Sequence, residues 1–142
     1  MGDDSVVIEH AKETLDFSIV IPAKNEEVGI GEVLCDLRSQ YPDVEIIVVD
    51  DGSTDSTAEI CESYGVVLIR HPYSKGNGAA IKSGARAAKS KYILFMDGDG
   101  QHKAECIDSL LKRVEKGFDL VVGARQGVKG QAGLGRAGAN AL

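Results

Sequence analysis

The segment 44-VEIIVVDDGSTD-55 gives a clear indication of the fold class of this chain. It begins as a run rich in β-branched residues and then changes abruptly to two aspartates, a glycine and a serine. An apolar run without polar alternation is typical of a strand that is covered on both faces, as in a parallel sheet. We therefore expect a buried strand over residues 44–49, followed by a polar loop.

Similar apolar runs recur on both sides of this stretch, and helical patterns separate them. In the helical segments the apolar residues recur at i, i+3, i+4 and i+7, which places them on one face. The alternation predicts an α/β fold, a three-layer α/β/α sandwich around a mostly parallel sheet. The other predicted strands are 17–22, 66–70, 92–96 and 118–122, and the helical stripes are Ile30, Val33, Leu34 and Leu37, and Ile107, Leu110, Leu111 and Val114.

The predicted helix ends rest on short local patterns. Ser56 and Glu59 have the spacing of a capping box at a helix start. Gly65 and Gly117 stand where helices would end, since glycine readily adopts the backbone conformation that terminates a helix.

Composition limits the function classes. The chain has 142 residues, 43% hydrophobic and 27% charged, which is the size and make-up of one globular domain. Its net charge is 16 − 22 = −6, which argues against a nucleic-acid partner. Cys35, Cys61 and Cys106 are widely spaced and form no CxxC motif, so we expect reduced, mostly buried thiols and a cytoplasmic location.

Three segments follow from the patterning. Residues 1–16 are expected to form a leader and residues 17–122 the core of the domain. Residues 123–142 hold six glycines, several basic residues and no acidic residue, so we expect a glycine-rich basic loop at which the chain stops in mid-fold.

The segments that follow the strands are the candidate functional loops. In open α/β sheets, ligands bind outside the carboxyl ends of the strands, so these segments should meet along one edge. They are rich in carboxylates, amides and glycine, and they comprise residues 22–27, 50–55, 71–78, 97–102 and 123–125.

The loop 97-DGDGQH-102 carries the sharpest chemical signal. Asp97 and Asp99 are one residue apart and would repel each other unless a cation lies beside them. Mg²⁺ or Mn²⁺ takes such oxygen ligands, and Gln101 could add an amide oxygen. Gly98 and Gly100 would let the backbone turn and leave room for a ligand. The alternative, a plain strand-ending turn of Asp and Gly, stays open on these residues alone.

The loop after the second strand allows more than one interpretation. Asp50 and Asp51 could accept hydrogen bonds from a nucleobase or form an acidic pocket for Mg²⁺. Ser53 and Asp55 favour a simpler role as caps of the next helix.

The loop after the third strand gives a weaker signal. The segment 75-KGNGAAIKSG-84 resembles a phosphate-binding loop but does not match the Walker pattern. His71 and His102 have no Cys or His partner at metal-ligand spacing. We therefore expect both histidines to be polar surface or turn residues.

With IPAKNEE, VVDDGSTD, KGNGAAIKSG and DGDGQH in this order, the sequence resembles family-2 glycosyltransferases of the GT-A fold. Within that family it is most similar to the polyprenyl-phosphate sugar synthases, such as dolichyl-phosphate mannosyltransferases. The resemblance runs from about Phe17 to Arg136. Family members usually continue further on the acceptor side, so it also implies that residues 123–142 begin an incomplete acceptor half.

The resemblance implies a role for each matching residue. Asp51 matches the carboxylate that recognises the base, and Asp97 and Asp99 match the catalytic DxD motif, here DGD where DAD is more usual. Together with Gln101, these two aspartates would hold Mg²⁺ or Mn²⁺. Pocket residues implied by the match are Pro22, Ala23, Asn25, Glu26 and Gly98. Basic residues that would face donor or acceptor phosphates are Arg125 and Arg136. For Lys75 and Lys82, contact with phosphate and a solvated surface position stay equal alternatives.

The implied activity is metal-dependent transfer of a sugar, with inversion, from a nucleoside-diphosphate sugar of the GDP-mannose or UDP-glucose type. The implied acceptor is a polyprenyl phosphate, which would place the protein at the cytosolic face of a membrane. Two alternatives stay open: a donor-binding domain without turnover, and a family-2 enzyme that acts on a saccharide hydroxyl.

Overall fold

The computed structural model describes residues 15–100 and 104–123. In this part of the chain, strands and helices alternate as the sequence predicts. The elements are β1 (Phe17–Ala23), α1 (Ile30–Gln40), β2 (Glu45–Asp50), α2 (Thr57–Glu62), β3 (Val67–Arg70), α3 (Asn77–Ala87), β4 (Tyr92–Phe95) and α4 (Glu105–Glu115).

The sheet is parallel and has the strand order β3-β2-β1-β4. In register, Ala23 pairs with Asp50 and Asp50 with Arg70, so β1, β2 and β3 end side by side. Met96, just after β4, donates its backbone N–H to Val20 at 3.1 Å. All four strands therefore send their following loops to the same edge.

Helices cover both faces of the sheet. On one face, Ile19, Ile21 and Ile46 pack with the buried stripe of α1 and with Ile107 of α4. On the other face, α3 places Ala80 against a smaller cluster that includes Val20 and Ile47. The predicted three-layer sandwich is confirmed.

Glycine lets α3 approach the sheet very closely. A Cβ added at Gly84 would lie 2.2 Å from Cγ1 of Val20 and 3.2 Å from Cγ2 of Val49. A contact of 2.2 Å does not occur between real atoms, so the side chain of Val20 occupies the space that any larger residue at position 84 would need.

The predicted fifth strand over residues 118–122 is wrong for the described part of the chain. These residues form no strand, and β4 pairs there only with β1. Phe118, Leu120 and Val122 are 43%, 57% and 58% exposed. Apolar β-branched composition favours a strand only where a neighbouring strand supplies hydrogen bonds, and among the described residues none pairs with this segment.

The helix ends confirm the two glycines predicted to terminate helices but not the capping box predicted at the start of α2. Gly65 and Gly117 have φ values of 63° and 96°, as expected for residues that terminate a helix. The capping box is wrong, because Ser56 makes no side-chain hydrogen bond at the start of α2. Asp55 caps this turn instead, and its Oδ1 accepts the N–H of Thr57 at 3.0 Å.

The cysteines, the absence of a membrane-spanning helix from the described part of the chain and the two terminal segments bear on the remaining sequence expectations. All three cysteines are free thiols, but only Cys61 is buried, so the expectation of mostly buried thiols is wrong. No helix among the described residues is long and apolar enough to cross a bilayer. The expected leader and the glycine-rich loop lie almost entirely outside the described residues.

Candidate functional site

The loops after β1, β2, β3 and β4 surround one open cleft of about 370 Å³, a size suited to a small-molecule ligand. The sequence predicted seven of its lining residues, and the structure brings all seven together. These are Pro22, Ala23, Glu26, Asp51, Asp97, Gly98 and Asp99.

The loop after β4 turns its two aspartates outward around a buried glycine. Gly98 is buried, whereas Asp97 and Asp99 are exposed and line the cleft. A Cβ at Gly98 would lie 3.0 Å from Cδ1 of Ile30 and 3.3 Å from Cγ2 of Ile21. The close packing of this backbone on the core therefore presents the two carboxylates to the cleft.

Glu26 brings a third carboxylate to the same side of the cleft. Partial burial raises its pKa, and the negative charges of Asp99, Asp97 and Asp55 raise it further. Negative charge is therefore concentrated here, which favours a cationic ligand. Even so, within residues 15–100 and 104–123 no three His, Cys, Asp or Glu side chains converge closely enough to hold a metal ion by themselves.

Hydrogen bonds lock the loop after β1 to the loop after β2. The backbone N–H of Glu26 donates to Oγ1 of Thr57 at 2.9 Å, and that of Glu27 donates to Oδ2 of Asp55 at 3.2 Å. In return, the carboxylate of Glu27 accepts the N–H of Ser56 at 3.0 Å. These bonds fix the position of the backbone that carries Glu26.

Asn25 belongs to this lock and does not line the cleft. Its Oδ1 accepts the N–H of Thr54 at 2.9 Å, and its own N–H donates to Oγ of Ser53 at 2.9 Å. Its backbone φ is 52°, which is uncommon for a residue other than glycine. The side chain expected to bind nucleotide is thus engaged with the neighbouring loop in this structure.

Asp50 and Asp51 are both buried but have different partners. Oδ1 of Asp50 accepts the N–H of Ser53 at 2.9 Å, and its Oδ2 lies 3.7 Å from Nε of Arg70. Asp51 lines the cleft, whereas Asp50 does not. The two carboxylates therefore do not form a joint acidic pocket.

Each oxygen of Asp51 accepts two hydrogen bonds. Oδ1 accepts from Nδ1 of His71 at 2.7 Å and from the N–H of Lys75 at 2.8 Å. Oδ2 accepts from Oγ of Ser74 at 3.0 Å and from the N–H of Gly76 at 2.9 Å. Burial alone would raise the pKa of Asp51, but these hydrogen bonds outweigh it and hold the pKa well below its usual range.

His71 corrects a prediction from the sequence. It is buried, with 8% exposure, and is neither a surface residue nor a simple turn residue. Its Nε2 lies 2.9 Å from Oγ of Ser83 in α3. No local pattern could have shown this role, because its partners lie 20 residues before it and 12 residues after it.

Part of the cleft wall consists of residues to which the sequence assigned no individual role. Lys24 reaches across the loops, and its Nζ donates to Oγ of Ser74 at 3.0 Å. Lys75 is exposed and holds its ammonium group 5.4 Å from the centre of the Tyr73 ring. These lining residues are Lys24, Ser74, Gly76 and Asn77, which lie in the predicted loop segments 22–27 and 71–78, and Ala80 of α3, which does not.

Three of the predicted site residues cannot be placed on this cleft. Gln101, Arg125 and Arg136 lie outside the described residues, as does His102. Their implied roles remain predictions.

The amino-acid sequence of the chain matches a known protein family and several of its members. The model of "Glycosyl transferase family 2" matches residues 18–139. An uncharacterised protein of Methanocaldococcus jannaschii is 41% identical over 112 residues, covering 75% of this chain and 45% of that protein. A dolichol-phosphate mannosyltransferase of Pyrococcus furiosus is 35% identical over 119 residues, covering 80% of this chain and 34% of that protein.

Solved structures agree with the sequence comparison. Glucosyl-3-phosphoglycerate synthase of Mycobacterium tuberculosis, in complex with Mn²⁺, UDP and glucosyl-3-phosphoglycerate, has a TM-score of 0.63 and 30% identity. The match covers 75% of this chain and 42% of that one. The fold is therefore the GT-A type of α/β sandwich. The chain spans about half the length, or less, of most of the curated relatives it matches. With a family match over most of its length, the chain belongs to glycosyl transferase family 2.

Proposed function

We propose that this chain carries the donor-binding part of a glycosyltransferase that moves a sugar from a nucleoside-diphosphate sugar to a polyprenyl phosphate. The observation that carries the proposal is the cleft itself. There the DGD aspartates after β4 face the loops after β1, β2 and β3, at the edge where ligands bind in open α/β sheets. Family membership supplies the reaction class.

Asp97 and Asp99 are the proposed ligands of Mg²⁺ or Mn²⁺, with Gln101 as a possible third. Two carboxylates fit such an ion, because Mg²⁺ sites commonly use one or two carboxylates and complete the coordination with water and substrate phosphates. The charge around Glu26 supports the same assignment. When bound, the ion would supply Lewis-acid stabilisation of the negative charge that develops on the leaving diphosphate.

The nucleotide is proposed to lie against Pro22, Ala23, Glu26 and Gly98, with Asp51 at the base end of the cleft. All five residues line the cleft, and this supports the assignment. Asp51 already accepts four hydrogen bonds, so a direct contact with a base would require it to give up or share one of them. Asn25 would contribute by holding the loop rather than by contact.

In the proposed transfer, an oxygen of the acceptor phosphate forms a bond to C1 of the sugar as the bond from C1 to the diphosphate oxygen breaks, with inversion at C1. A phosphate monoester has a second pKa near ~6 and is therefore largely anionic at neutral pH. Such a nucleophile needs no strong general base. Arg125 and Arg136 are proposed to face phosphate groups, with Lys75 as a further candidate.

The lipid acceptor would place the protein peripherally at the cytosolic face of a membrane. The P. furiosus relative is named for dolichol phosphate, which supports a lipid acceptor. A small phosphorylated acceptor is the second candidate, because the similar M. tuberculosis structure contains glucosyl-3-phosphoglycerate. Both candidates share a phosphate group. Transfer to a saccharide hydroxyl and donor binding without turnover are the remaining alternatives.

Thermal-shift titration with GDP- and UDP-sugars, with Mn²⁺ or with EDTA, tests donor binding. We expect one nucleotide to raise Tm in the presence of Mn²⁺, and we expect Asp99→Ala to abolish this rise. Asp43→Ala is the matched control, since Asp43 is exposed and lies before β2, at the opposite end of the sheet. The absence of a shift with every donor would contradict the proposal.

Incubation of the stabilising donor with polyprenyl phosphate or with 3-phosphoglycerate then distinguishes the two acceptors. Sugar–lipid product supports the first candidate, and product from 3-phosphoglycerate alone supports the second. Donor binding without either product favours the binding-only alternative or a saccharide acceptor.

A further inference from the structure

His71 joins three segments of the fold at the wall of the cleft. It lies directly after β3, and its own N–H donates to the carbonyl of Asp50 at 2.8 Å. Its ring contacts Asp51 after β2 through Nδ1, and Ser83 within α3 through Nε2. One buried side chain thus links the ends of two strands to the helix that starts at the cleft.

The chemistry of the partners defines the protonation of the ring. An ionised carboxylate only accepts hydrogen bonds, so Nδ1 of His71 must carry the proton that is donated to Asp51. In the neutral ring, Nε2 then accepts a hydrogen bond from the hydroxyl of Ser83. The pair is buried, with side-chain exposures of 6% for both residues, so water competes little for these bonds.

The carboxylate of Asp51, which His71 contacts, accepts its hydrogen bonds from the loop 71–76. The other three donors to Asp51 come from Ser74, Lys75 and Gly76. Two of these residues, Ser74 and Gly76, line the cleft, and Gly76 is the N-cap residue of α3. A shift of the Asp51 carboxylate would therefore move this part of the cleft wall.

We propose that His71 is a positioning residue of the nucleotide site, which fixes the carboxylate of Asp51 through Nδ1–H and so sets the wall formed by residues 74–76. It does not line the cleft and is not expected to touch ligand. The proposal deepens the proposed function and rests on it for the choice of nucleotide as the probe.

Two substitutions separate positioning from general packing. In His71→Asn, the side-chain amide nitrogen can take the place of Nδ1 and still donate to Asp51. In His71→Gln, the amide can reach the place of Nε2 near Ser83 but not the place of Nδ1. Both replacements are polar and smaller than histidine, so each is a control for the other.

Titration calorimetry with UDP and GDP in the presence of Mn²⁺ provides the binding readout. We expect His71→Asn to keep the wild-type Kd within about threefold and His71→Gln to weaken binding about tenfold or more, as for the loss of one hydrogen bond to a charged group. Equal affinities for the two variants at matched Tm would overturn the proposal.

NMR of the unliganded wild-type protein tests the same idea without any nucleotide or variant. We expect the ¹⁵N spectrum to show a protonated Nδ1 on His71 and the amides of Lys75 and Gly76 to be protected from hydrogen exchange. An unprotonated Nδ1, or unprotected amides, would overturn the proposal even if a variant failed to fold. If the wild type bound neither nucleotide, the proposed function would fail, and these spectra would still decide the role of His71.

Discussion

Oδ1 of Asn25 accepts the backbone N–H of Thr54 at 2.9 Å, so the side chain expected to contact nucleotide instead joins the loops after β1 and β2. The bond is long-range, because the two partners are 29 positions apart in the sequence. The Asn25 backbone has a φ of 52° and lies next to the cleft residue Glu26. Loop geometry and cleft geometry are therefore coupled at this position.

Two replacements of Asn25 should separate the contribution of its side-chain hydrogen bond to stability from the contribution of its backbone conformation. Asn25→Gly removes the bond but tolerates positive φ, so we expect a loss of about 1 kcal/mol in the free energy of unfolding. Asn25→Ala also imposes left-handed strain, and we expect a total loss of about 2 kcal/mol. Urea denaturation measures both values, and an alanine variant as stable as the glycine variant would contradict the assigned φ.

The contact between Gly84 and Val20 predicts a steric effect within α3. Gly84→Ala should destabilise the fold by about 1–3 kcal/mol, because the new methyl group overlaps Val20 in a packed core. Gly78→Ala is the control in the same helix, since nothing lies within 4 Å of a Cβ at that position. It should be neutral or stabilising by up to about 1 kcal/mol. Similar denaturation midpoints for the two variants would show that α3 does not lie this close to the sheet.

The hydrogen bonds of Arg38 predict that its replacement will lower stability without changing nucleotide binding in the cleft. Its guanidinium donates to the carbonyl oxygens of Pro42, Val44, Tyr64 and Gly65, at distances from 2.9 to 3.4 Å. Arg38→Ala should cost about 2 kcal/mol or more in chemical denaturation, and Arg38→Lys should recover only part of this, because an ammonium group cannot span four carbonyls. Nucleotide affinity of the folded variants should stay at the wild-type value, and a large change in it would argue against this separation.

The raised pKa of Glu26 predicts that its contribution to folding stability depends on pH. Burial, followed by the charges of Asp99 and Asp97, raises its pKa above the ordinary glutamate value in the folded state. The folded protein therefore binds this proton more tightly than the unfolded chain. The contribution of Glu26 to stability is thus largest below the ordinary glutamate pKa of about 4.3 and falls as pH rises through the raised pKa.

Glu26→Gln should consequently raise Tm at pH 7, by an amount that corresponds to less than about 1 kcal/mol for this partly exposed group. The two proteins should converge as pH falls below the ordinary glutamate pKa of about 4.3. Melting curves over this range in EDTA measure the difference. A lower Tm for the variant at pH 7 would mean that the ionised carboxylate is stabilising and would contradict the prediction.

Much of the fold was predictable because strand and helix signals are local. The runs over 44–49 and 17–22 became β2 and β1, and the stripe from Ile30 to Leu37 is buried as expected. The run over 118–122 carried the same local signal, but a strand also requires a pairing partner, which composition cannot supply. The cleft residues Asp97 and Asp99 were predictable because the carboxyl ends of parallel strands share an edge.

The hydrogen-bond partners of the cleft residues were not predictable. The sequence indicated the position of Asp51 but not its four donors, which come from a loop 20 to 25 residues later. It gave no sign that His71 is buried or that Asn25 faces another loop. Such pairings depend on the three-dimensional approach of two loops and leave no periodic pattern in either one.

Asp97 and Asp99 are proposed to form a divalent-cation site that a nucleoside diphosphate completes. Electron paramagnetic resonance of Mn²⁺, titrated with the protein in the presence of UDP or GDP, tests it most directly. With one of these nucleotides, we expect the wild-type protein to lower the signal of free Mn²⁺ further than the nucleotide alone does. The Asp97→Asn/Asp99→Asn double variant should not lower it further. Equal depletion by the wild type and the folded double variant would contradict the claim.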